Sequence, residues 1–171
     1  MPFFTKVLLL FISCILFSTF TFGQPKATLK QQIKTLESEV LKQGTTLNIP
    51  LATKLISKYK AYANQFKPDT LCANYLMKAA DISRGIGKCS QSIVLLEKAK
   101  MTYPKVKQVE DVLFLQGYIF ENCLNDAPKA KQKYENFIRI YPNHRLVPVA
   151  KTSLQFLGKG PEELLKMIKG N

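Results

Sequence analysis

Histidine is nearly absent from this sequence of 171 residues, which contains only His144. His144 follows a turn in the stretch YPNHRL, without a serine, cysteine or carboxylate at the spacing of a catalytic motif, so we expect it to cap a loop. Glu162 and Glu163 fall in the first turn of a predicted helix, where they offset the helix dipole. The stretch RGIGK lacks the strand and the spacing of a phosphate-binding loop. The sequence therefore predicts no catalytic residue, no cofactor and no enzymatic activity.

Cysteine is also scarce, and its pattern argues against a metal site. Cys14 lies in an apolar run near the start, and the other three cysteines are Cys72, Cys89 and Cys123. Their spacings of 17 and 34 residues match no zinc motif, and one histidine cannot complete a site with them. If the segment that contains Cys14 is removed as a signal peptide, three cysteines remain, and an odd number in an oxidising compartment allows one disulfide with a free thiol, or no disulfide.

Long hydrophobic runs are absent except at the start of the chain. Residues 7–22 form an apolar run between the cation Lys6 and the small residue Gly23, which is typical of a secretory signal peptide. The run of 16 residues is shorter than the roughly 20 that a membrane-spanning helix needs. We therefore expect residues 1–23 to be cleaved before Gln24, rather than retained as an anchor or lipidated at Cys14. This predicts a periplasmic or secreted protein.

Acidic residues are too few to balance the basic ones, since 12 stand against 25 and the net charge is +13. Inside a cell, such an excess would indicate nucleic acid. An exported chain meets other anions, namely lipid head groups, lipopolysaccharide, acidic polymers or acidic proteins, so we expect no nucleic-acid partner. The alternative is that scattered lysines, with no basic run longer than two residues, only keep a helical surface soluble.

Helical periodicity is present throughout the rest of the chain. After residue 23 no segment alternates like a strand, and the apolar residues recur every three or four positions. The fold class is therefore all-α, with an N-terminal amphipathic helix at residues 24–44 and a helical domain at residues 45–171. The apolar stripe of the first helix offers about two heptads. It either coils with other copies or packs back on the domain as a cap. The stripe consists of Leu29, Ile33, Leu36 and Val40.

Two stretches of the chain repeat one pattern. LLEKAKMTYPK and KYENFIRIYPN both contain Tyr-Pro near the end and a glutamate six residues before the tyrosine. Pro104 and Pro142 are consequently 38 residues apart. A period of roughly 34 to 38 residues in a helical chain indicates stacked helix pairs, because one hairpin cannot bury its own apolar face.

The second of these units resembles the tetratricopeptide repeat. That repeat has a bulky residue, a glycine and an aromatic residue on its first helix, followed by an alanine, an aromatic residue and a closing proline on its second. The matching residues are Leu113, Gly117, Phe120, Ala130, Tyr134 and Pro142. Gln116 stands where leucine is usual, and Phe137 where a second alanine is usual.

The first unit has the same arrangement with more departures. Its matching residues are Leu76, Ala79, Ala80, Leu96, Ala99 and Pro104. Ser83 and Ser92 replace the usual aromatic residue and alanine. The stretch LATKLISKYKAYANQFKP resembles a lone second helix of a degenerate unit, and VAKTSLQFLGK resembles a closing first helix. The resemblance covers roughly residues 48–169; the alternative architecture is an irregular helical bundle.

The resemblance implies antiparallel helix hairpins stacked as a short right-handed solenoid, with first helices lining a concave groove that takes a protein or peptide. The groove is either open or filled by a terminal helix. The residues that the resemblance assigns to it are Asn74, Met77, Asp81, Arg84, Asp111, Phe114, Tyr118 and Glu121.

The same register implies a position for the cysteines. The start of a second helix lies near the end of the next unit's first helix, which brings Cys89 towards Cys123 and leaves Cys72 at the opposite end of its hairpin. We expect a Cys89–Cys123 disulfide or none.

The order of signal, short stripe and small array is similar to that of periplasmic tetratricopeptide proteins in the Tol-Pal and cell-division machinery and in outer-membrane protein assembly. This similarity implies an exported, non-catalytic adaptor or scaffold for protein partners in the cell envelope. One alternative is a binding module for an anionic envelope component, and another is a subunit permanently docked in a larger complex. The oligomeric state stays open.

Overall fold

The computed structural model describes residues 24–42, 48–160 and 162–163. The predicted signal peptide, residues 1–23, lies outside this part, and so does the last predicted helix, PEELLKMIK at residues 161–169, except for Glu162 and Glu163. The described residues form seven α-helices and one 3-10 helix, without a strand, which confirms the all-α prediction. The elements are α1 (Lys26–Leu41), α2 (Ile49–Gln65), α3 (Leu71–Gly85), α4 (Cys89–Thr102), the 3-10 helix (Lys107–Asp111), α5 (Val112–Asn122), α6 (Ala127–Ile140) and α7 (Val147–Phe156).

Successive helices pack against one another in chain order. The contacts are extensive between α2 and α3 and within the pairs α3/α4 and α5/α6, and much smaller between α4 and α5. Helix α2, which the sequence suggested was a lone second helix, packs on α1 as its hairpin partner. The described chain therefore consists of three hairpins followed by α7. No helix in these ranges has the length and apolar character needed to cross a membrane.

Polar caps fix the starts of the second helices in the first and third hairpins. The side chain of Asn48 accepts a hydrogen bond from the N–H of Leu51 at 3.0 Å, and Asp126 accepts one from Lys129 at 3.0 Å. In both helices a proline occupies the first turn, where a backbone N–H has no acceptor within the helix. Proline, which lacks this N–H, therefore breaks no helical hydrogen bond there.

The ends of α2, α4 and α6 share one conformation. Each helix ends at an aromatic residue with φ between −130° and −118° and ψ between 43° and 60°. The N–H of that residue still bonds the carbonyl four positions earlier. The three residues are Phe66, Tyr103 and Tyr141. The two tyrosines that the repeat pattern paired therefore occupy matching positions.

The linkers that follow these aromatic residues also share their hydrogen bonds. The residue three positions after each aromatic donates its N–H back to the aromatic carbonyl, at 2.8, 3.0 and 3.0 Å. The residue three positions further on repeats the same bond, at 2.9, 2.8 and 3.0 Å. The three linkers run through Phe66–Asp69–Cys72, Tyr103–Val106–Val109 and Tyr141–His144–Val147. Only the second linker continues into a 3-10 helix before α5 begins, which the sequence did not predict.

The buried side chains form two clusters. The first joins α1 to α4 with the 3-10 helix and one side of α5 (Val112 and Ile119), and it includes the fully buried Tyr59 and Tyr62. The second joins the other side of α5 to α6 and α7 around Tyr134. Ile93 and Leu124 pack against both clusters and connect them. These shared contacts link the two halves of the described chain.

Helix α1 is held against the other helices by its apolar stripe and by contacts of its charged side chains. Leu29, Ile33 and Leu36 are buried in the first cluster, so the stripe packs inside its own chain. Glu37 accepts hydrogen bonds from the Tyr59 hydroxyl at 2.6 Å and from the Lys78 ammonium at 2.7 Å. Burial disfavours the charged form of Glu37, but these two hydrogen bonds outweigh it and lower its pKa. The sequence left two arrangements open for α1, coiling with other copies or packing back on the domain, and the structure shows the second.

Candidate functional site

The seam between α3 and α5 is where the predicted groove residues come closest together. A cavity of about 30 Å³ lies in this seam, lined among others by Met77, Arg84, Leu115 and Tyr118. That volume is of the order of a single water molecule. Helices α3, α4 and α5 line this small cavity together, so a ligand would meet the outer surface of the seam rather than a deep channel.

Arg84 and Tyr118 form the exposed part of this seam. The Arg84 guanidinium carbon lies 5.7 Å from the centre of the Tyr118 ring, within the range of a cation–π interaction. Arg84 also donates to the Asp81 carboxylate at 2.8 Å. Tyr118 is 40% exposed although it lies on a helix whose other aromatic residues are covered. The seam thus presents an aromatic ring, a cation and an anion on two rigid helices.

The other predicted groove residues are divided between two places. Asn74 is partly exposed on α3, on the same helical face as Met77, Asp81 and Arg84. Its spacing of three residues from Met77 places it about one turn along the seam. The remaining three residues are Asp111, Phe114 and Glu121 of the second unit. They point away from the seam and contact α6 or the linker before α7.

Phe114 does not act as an exposed groove residue. Its ring is partly buried and lies 5.7 Å from the rings of both Tyr134 and Phe137 on α6. Glu121 likewise faces α6, where its carboxylate accepts a hydrogen bond from the Tyr134 hydroxyl at 2.6 Å. Burial and this hydrogen bond raise the pKa of Tyr134. Both predicted groove residues therefore hold the third hairpin together.

Asp111 connects the second linker to the third. Its carboxylate lies 3.1 Å from His144 Nε2 and 3.6 Å from an Arg145 guanidinium nitrogen. His144 Nδ1 accepts a hydrogen bond from the N–H of Leu146 at 3.2 Å, so Nε2 is the nitrogen that donates to Asp111. His144 thereby caps the loop before α7, as its position after the turn suggested. The carboxylate of Asp111 is already bonded to His144.

The cysteines occupy the positions named from the repeat register. Cys89 and Cys123 form a disulfide with their Cα atoms 6.3 Å apart, and it joins the start of α4 to the end of α5. Cys72 is a buried free thiol that donates to the carbonyl of Phe66 at 3.2 Å. Burial raises the pKa of the Cys72 thiol, which disfavours the reactive thiolate.

The two serines that depart from the repeat pattern are buried and fully bonded. Ser83 donates to the carbonyl of Ala79 at 2.7 Å, and Ser92 donates to the carbonyl of Ala80 at 2.7 Å. Ser92 and Leu115 also line the seam, where the repeat pattern does not place them. The small side chain of Ser92 is the feature of the sequence that could have predicted this position, because helices can approach closely only where the residue between them is small.

Neither a cluster of metal ligands nor a similar known protein assigns a function to the seam. Within the part of the chain that the structure describes, no three His, Cys, Asp or Glu side chains converge as metal ligands would. No protein-family model matches the chain, and no curated protein matches it.

Proposed function

We propose that this chain is an exported, non-catalytic adaptor of the tetratricopeptide type, which binds a protein or peptide partner in the cell envelope across the α3/α5 seam. The observation that carries this proposal is the exposed Tyr118 ring, held beneath Arg84 and next to Asp81. Aromatic and arginine side chains supply a large share of the binding energy in protein interfaces. The matching linkers support a solenoid arrangement of the hairpins.

The test is to capture partners from envelope extracts with the tagged full-length chain and to reconstitute the complex from purified components. We expect Tyr118→Ala or Arg84→Ala to weaken the reconstituted complex by about 2 kcal/mol, or roughly 30-fold, as for an interface hot spot. Ile140→Ala is the matched control, because Ile140 is 46% exposed and lies on α6 away from the seam. Equal affinity for all variants would refute binding at the seam.

A second candidate function is binding of an anionic envelope component by the first hairpin. Residues 24–67 contain eight lysines and two glutamates, and this part of the chain forms a groove between α1 and α2 whose lining also includes Glu39. The groove has a volume of about 830 Å³, and Lys54, Lys58 and Gln32 are among the side chains that line it. The Gln32 side-chain oxygen is buried there without a hydrogen-bond partner among the described residues.

Ionic strength separates the two candidates. A complex held by lysines and a polyanion should lose most of its affinity between low and moderate salt, because counterions screen the exposed charges. A complex centred on Tyr118 should change little. Binding of anionic vesicles or lipopolysaccharide is measured in parallel with Lys54→Gln and Lys58→Gln, and an unchanged affinity in these variants would exclude the first-hairpin groove.

A further inference from the structure

Helix α4 carries apolar side chains on two opposite faces. Its inner face, which includes Leu95 and Leu96, is buried in the first cluster. On the outer face, Val94 is 66% exposed and Met101 is 75% exposed. These two residues are seven positions apart, so they lie about two turns from each other on one side of the helix. Such large exposed apolar side chains on one stripe are a common feature of interaction surfaces.

The exposed stripe forms one wall of a groove between α4 and α6. The groove has a volume of about 670 Å³, and its lining includes Val94, Lys98 and Met101 from α4 and Lys133 from α6. Gln116 of α5 also lines it and is fully buried. Because Gln116 and Tyr118 are two residues apart on a helix, they point roughly 200° apart. The α4/α6 groove is therefore on the side of α5 opposite to the seam.

Two lysines and one glutamate line the groove, so its net charge is positive. Lys98 bonds the side-chain oxygen of Asn64 at 2.7 Å, and neither Lys98 nor Lys133 has a carboxylate partner among the described residues. The acid in the lining, Glu97, already accepts a hydrogen bond from Gln116 at 2.9 Å. A second copy of this face would bring two surfaces of net positive charge together, which is unfavourable. The charge pattern instead favours an acidic partner.

The shape of the surface distinguishes a protein segment from a membrane. Ile93, Val94 and Met101 form one wall of the groove, and Lys133 and the buried Gln116 of the other two helices complete its lining. A bilayer is bound by apolar side chains that project from a protein, whereas a groove between two helices receives a helix from a partner. A helical partner with apolar residues at positions i and i+7 would match the separation of Val94 and Met101, about 10 Å along the axis.

We propose that the groove between α4 and α6 binds an acidic amphipathic helix of another protein. The partner places two apolar residues against Val94 and Met101, and its carboxylates face Lys98 and Lys133. This surface is separate from the seam of the proposed function, so the chain would hold two partners on opposite sides. The inference does not depend on the binding at Tyr118.

The test uses two designed helical peptides that carry leucine at positions i and i+7. One has glutamates beside the leucines, and its twin has lysines at the same positions. Fluorescence anisotropy with the purified full-length chain should show at least tenfold tighter binding of the acidic peptide. The double variant Val94→Ser/Met101→Ser should weaken this binding at least tenfold. The double variant Lys98→Glu/Lys133→Glu should reverse the preference towards the lysine peptide.

The controls separate this surface from the other candidates. Arg84→Ala/Tyr118→Ala should leave the peptide affinity unchanged, and circular dichroism verifies that each variant stays folded. Equal binding of the two peptides, or binding insensitive to Val94 and Met101, would refute the proposal. Two other results would also refute it if they depended on Val94 and Met101. One is self-association of the chain in sedimentation, which would make a second copy the occupant. The other is binding to anionic vesicles without binding to the acidic peptide.

Discussion

Gly117 lies where the Tyr134 ring packs against helix α5. A Cβ atom at position 117 would lie 2.7 Å from two carbons of that ring. The ring cannot move away easily, because Tyr134 is fully buried and its hydroxyl is bonded to Glu121. We predict that Gly117→Ala lowers the free energy of unfolding by about 1–3 kcal/mol, as overpacking of a core does.

Urea denaturation followed by circular dichroism measures this change. Gly160→Ala is the matched control, since no atom lies within 4 Å of a Cβ at that position. An equal effect of the two substitutions would show that the contact with Tyr134 is not the cause.

Asp69 connects α1, α2 and α3 through one carboxylate. It accepts hydrogen bonds from Lys26 at 2.7 Å, from the Tyr62 hydroxyl at 2.6 Å and from the N–H of Leu71 at 2.9 Å. The hydrogen bond from Lys26, followed by those from Tyr62 and Leu71, holds the Asp69 pKa well below its ordinary value of 3.8. A carboxyl with a lowered pKa stabilises the fold above that ordinary value, and the contribution is lost as the pH falls below it.

We therefore predict that Asp69→Asn destabilises the protein by about 1–3 kcal/mol near neutral pH and that this difference shrinks below about pH 4. Urea denaturation at several pH values provides the measurement. Glu39→Gln is the control, because Glu39 is exposed and has no ion pair among the described residues. If the effect of Asp69→Asn were the same at all pH values, ionisation of the carboxyl would not be its origin.

At the scale of elements, the Cys89–Cys123 disulfide joins the two hairpins that share the smallest helix contact. It links the start of α4 to the end of α5 and encloses a loop with a sequence separation of 34 residues. We predict that Cys89→Ser/Cys123→Ser lowers the free energy of unfolding by about 2–4 kcal/mol, chiefly because the unfolded chain becomes less constrained.

The melting temperature with and without a reducing agent checks this prediction. A reducing agent should lower the melting temperature of the original chain and leave that of the double variant unchanged. Thiol labelling of the unfolded chain should detect two further thiols after reduction. A melting temperature that does not respond to reduction in the original chain would contradict a stabilising disulfide.

The sequence was sufficient to locate the helices because their ends carry local signals. Asn48 with Pro50 marks a helix start, and an aromatic residue followed closely by proline marks a helix end. These signals act within a few residues and need no tertiary information. The 3-10 helix before α5 was missed, because its residues fit a helical period and its tighter winding follows from the linker hydrogen bonds.

The candidate site was less predictable, because it depends on which neighbours a helix face meets. Phe114 and Tyr118 are one turn apart on α5, and the sequence assigns both to the same groove. In the structure the Phe114 ring contacts α6, whereas Tyr118 contacts Arg84 of α3. The outer stripe of α4 was overlooked for a related reason, since Val94 and Met101 resemble core residues until the buried face of the helix is known.

At the scale of the whole molecule, the apolar stripe of α1 is already used inside the chain. Leu29 and Ile33 are each 1% exposed, and they pack in the first cluster. A helix whose stripe is covered in this way cannot use it in a coiled coil with other copies. We predict that the chain is a monomer at micromolar concentration, with Ile33→Asp unfolding the first hairpin rather than dissociating an oligomer.

Sedimentation equilibrium and circular dichroism together check both parts of this prediction. Lys34→Asp is the matched control, since Lys34 is exposed on the same helix and its substitution should alter neither mass nor helicity. A trimer that becomes a folded monomer with Ile33→Asp would contradict it.

The shared hydrogen bonds after Phe66, Tyr103 and Tyr141 have a consequence for how such a chain can grow. A duplicate of residues 67–103 placed after Tyr103 would begin with the linker that an aromatic helix end requires and would finish with another such end. Gene duplication could therefore lengthen the protein by whole hairpins without inventing a new junction, and each added hairpin would extend both the row of first helices and the row of second helices.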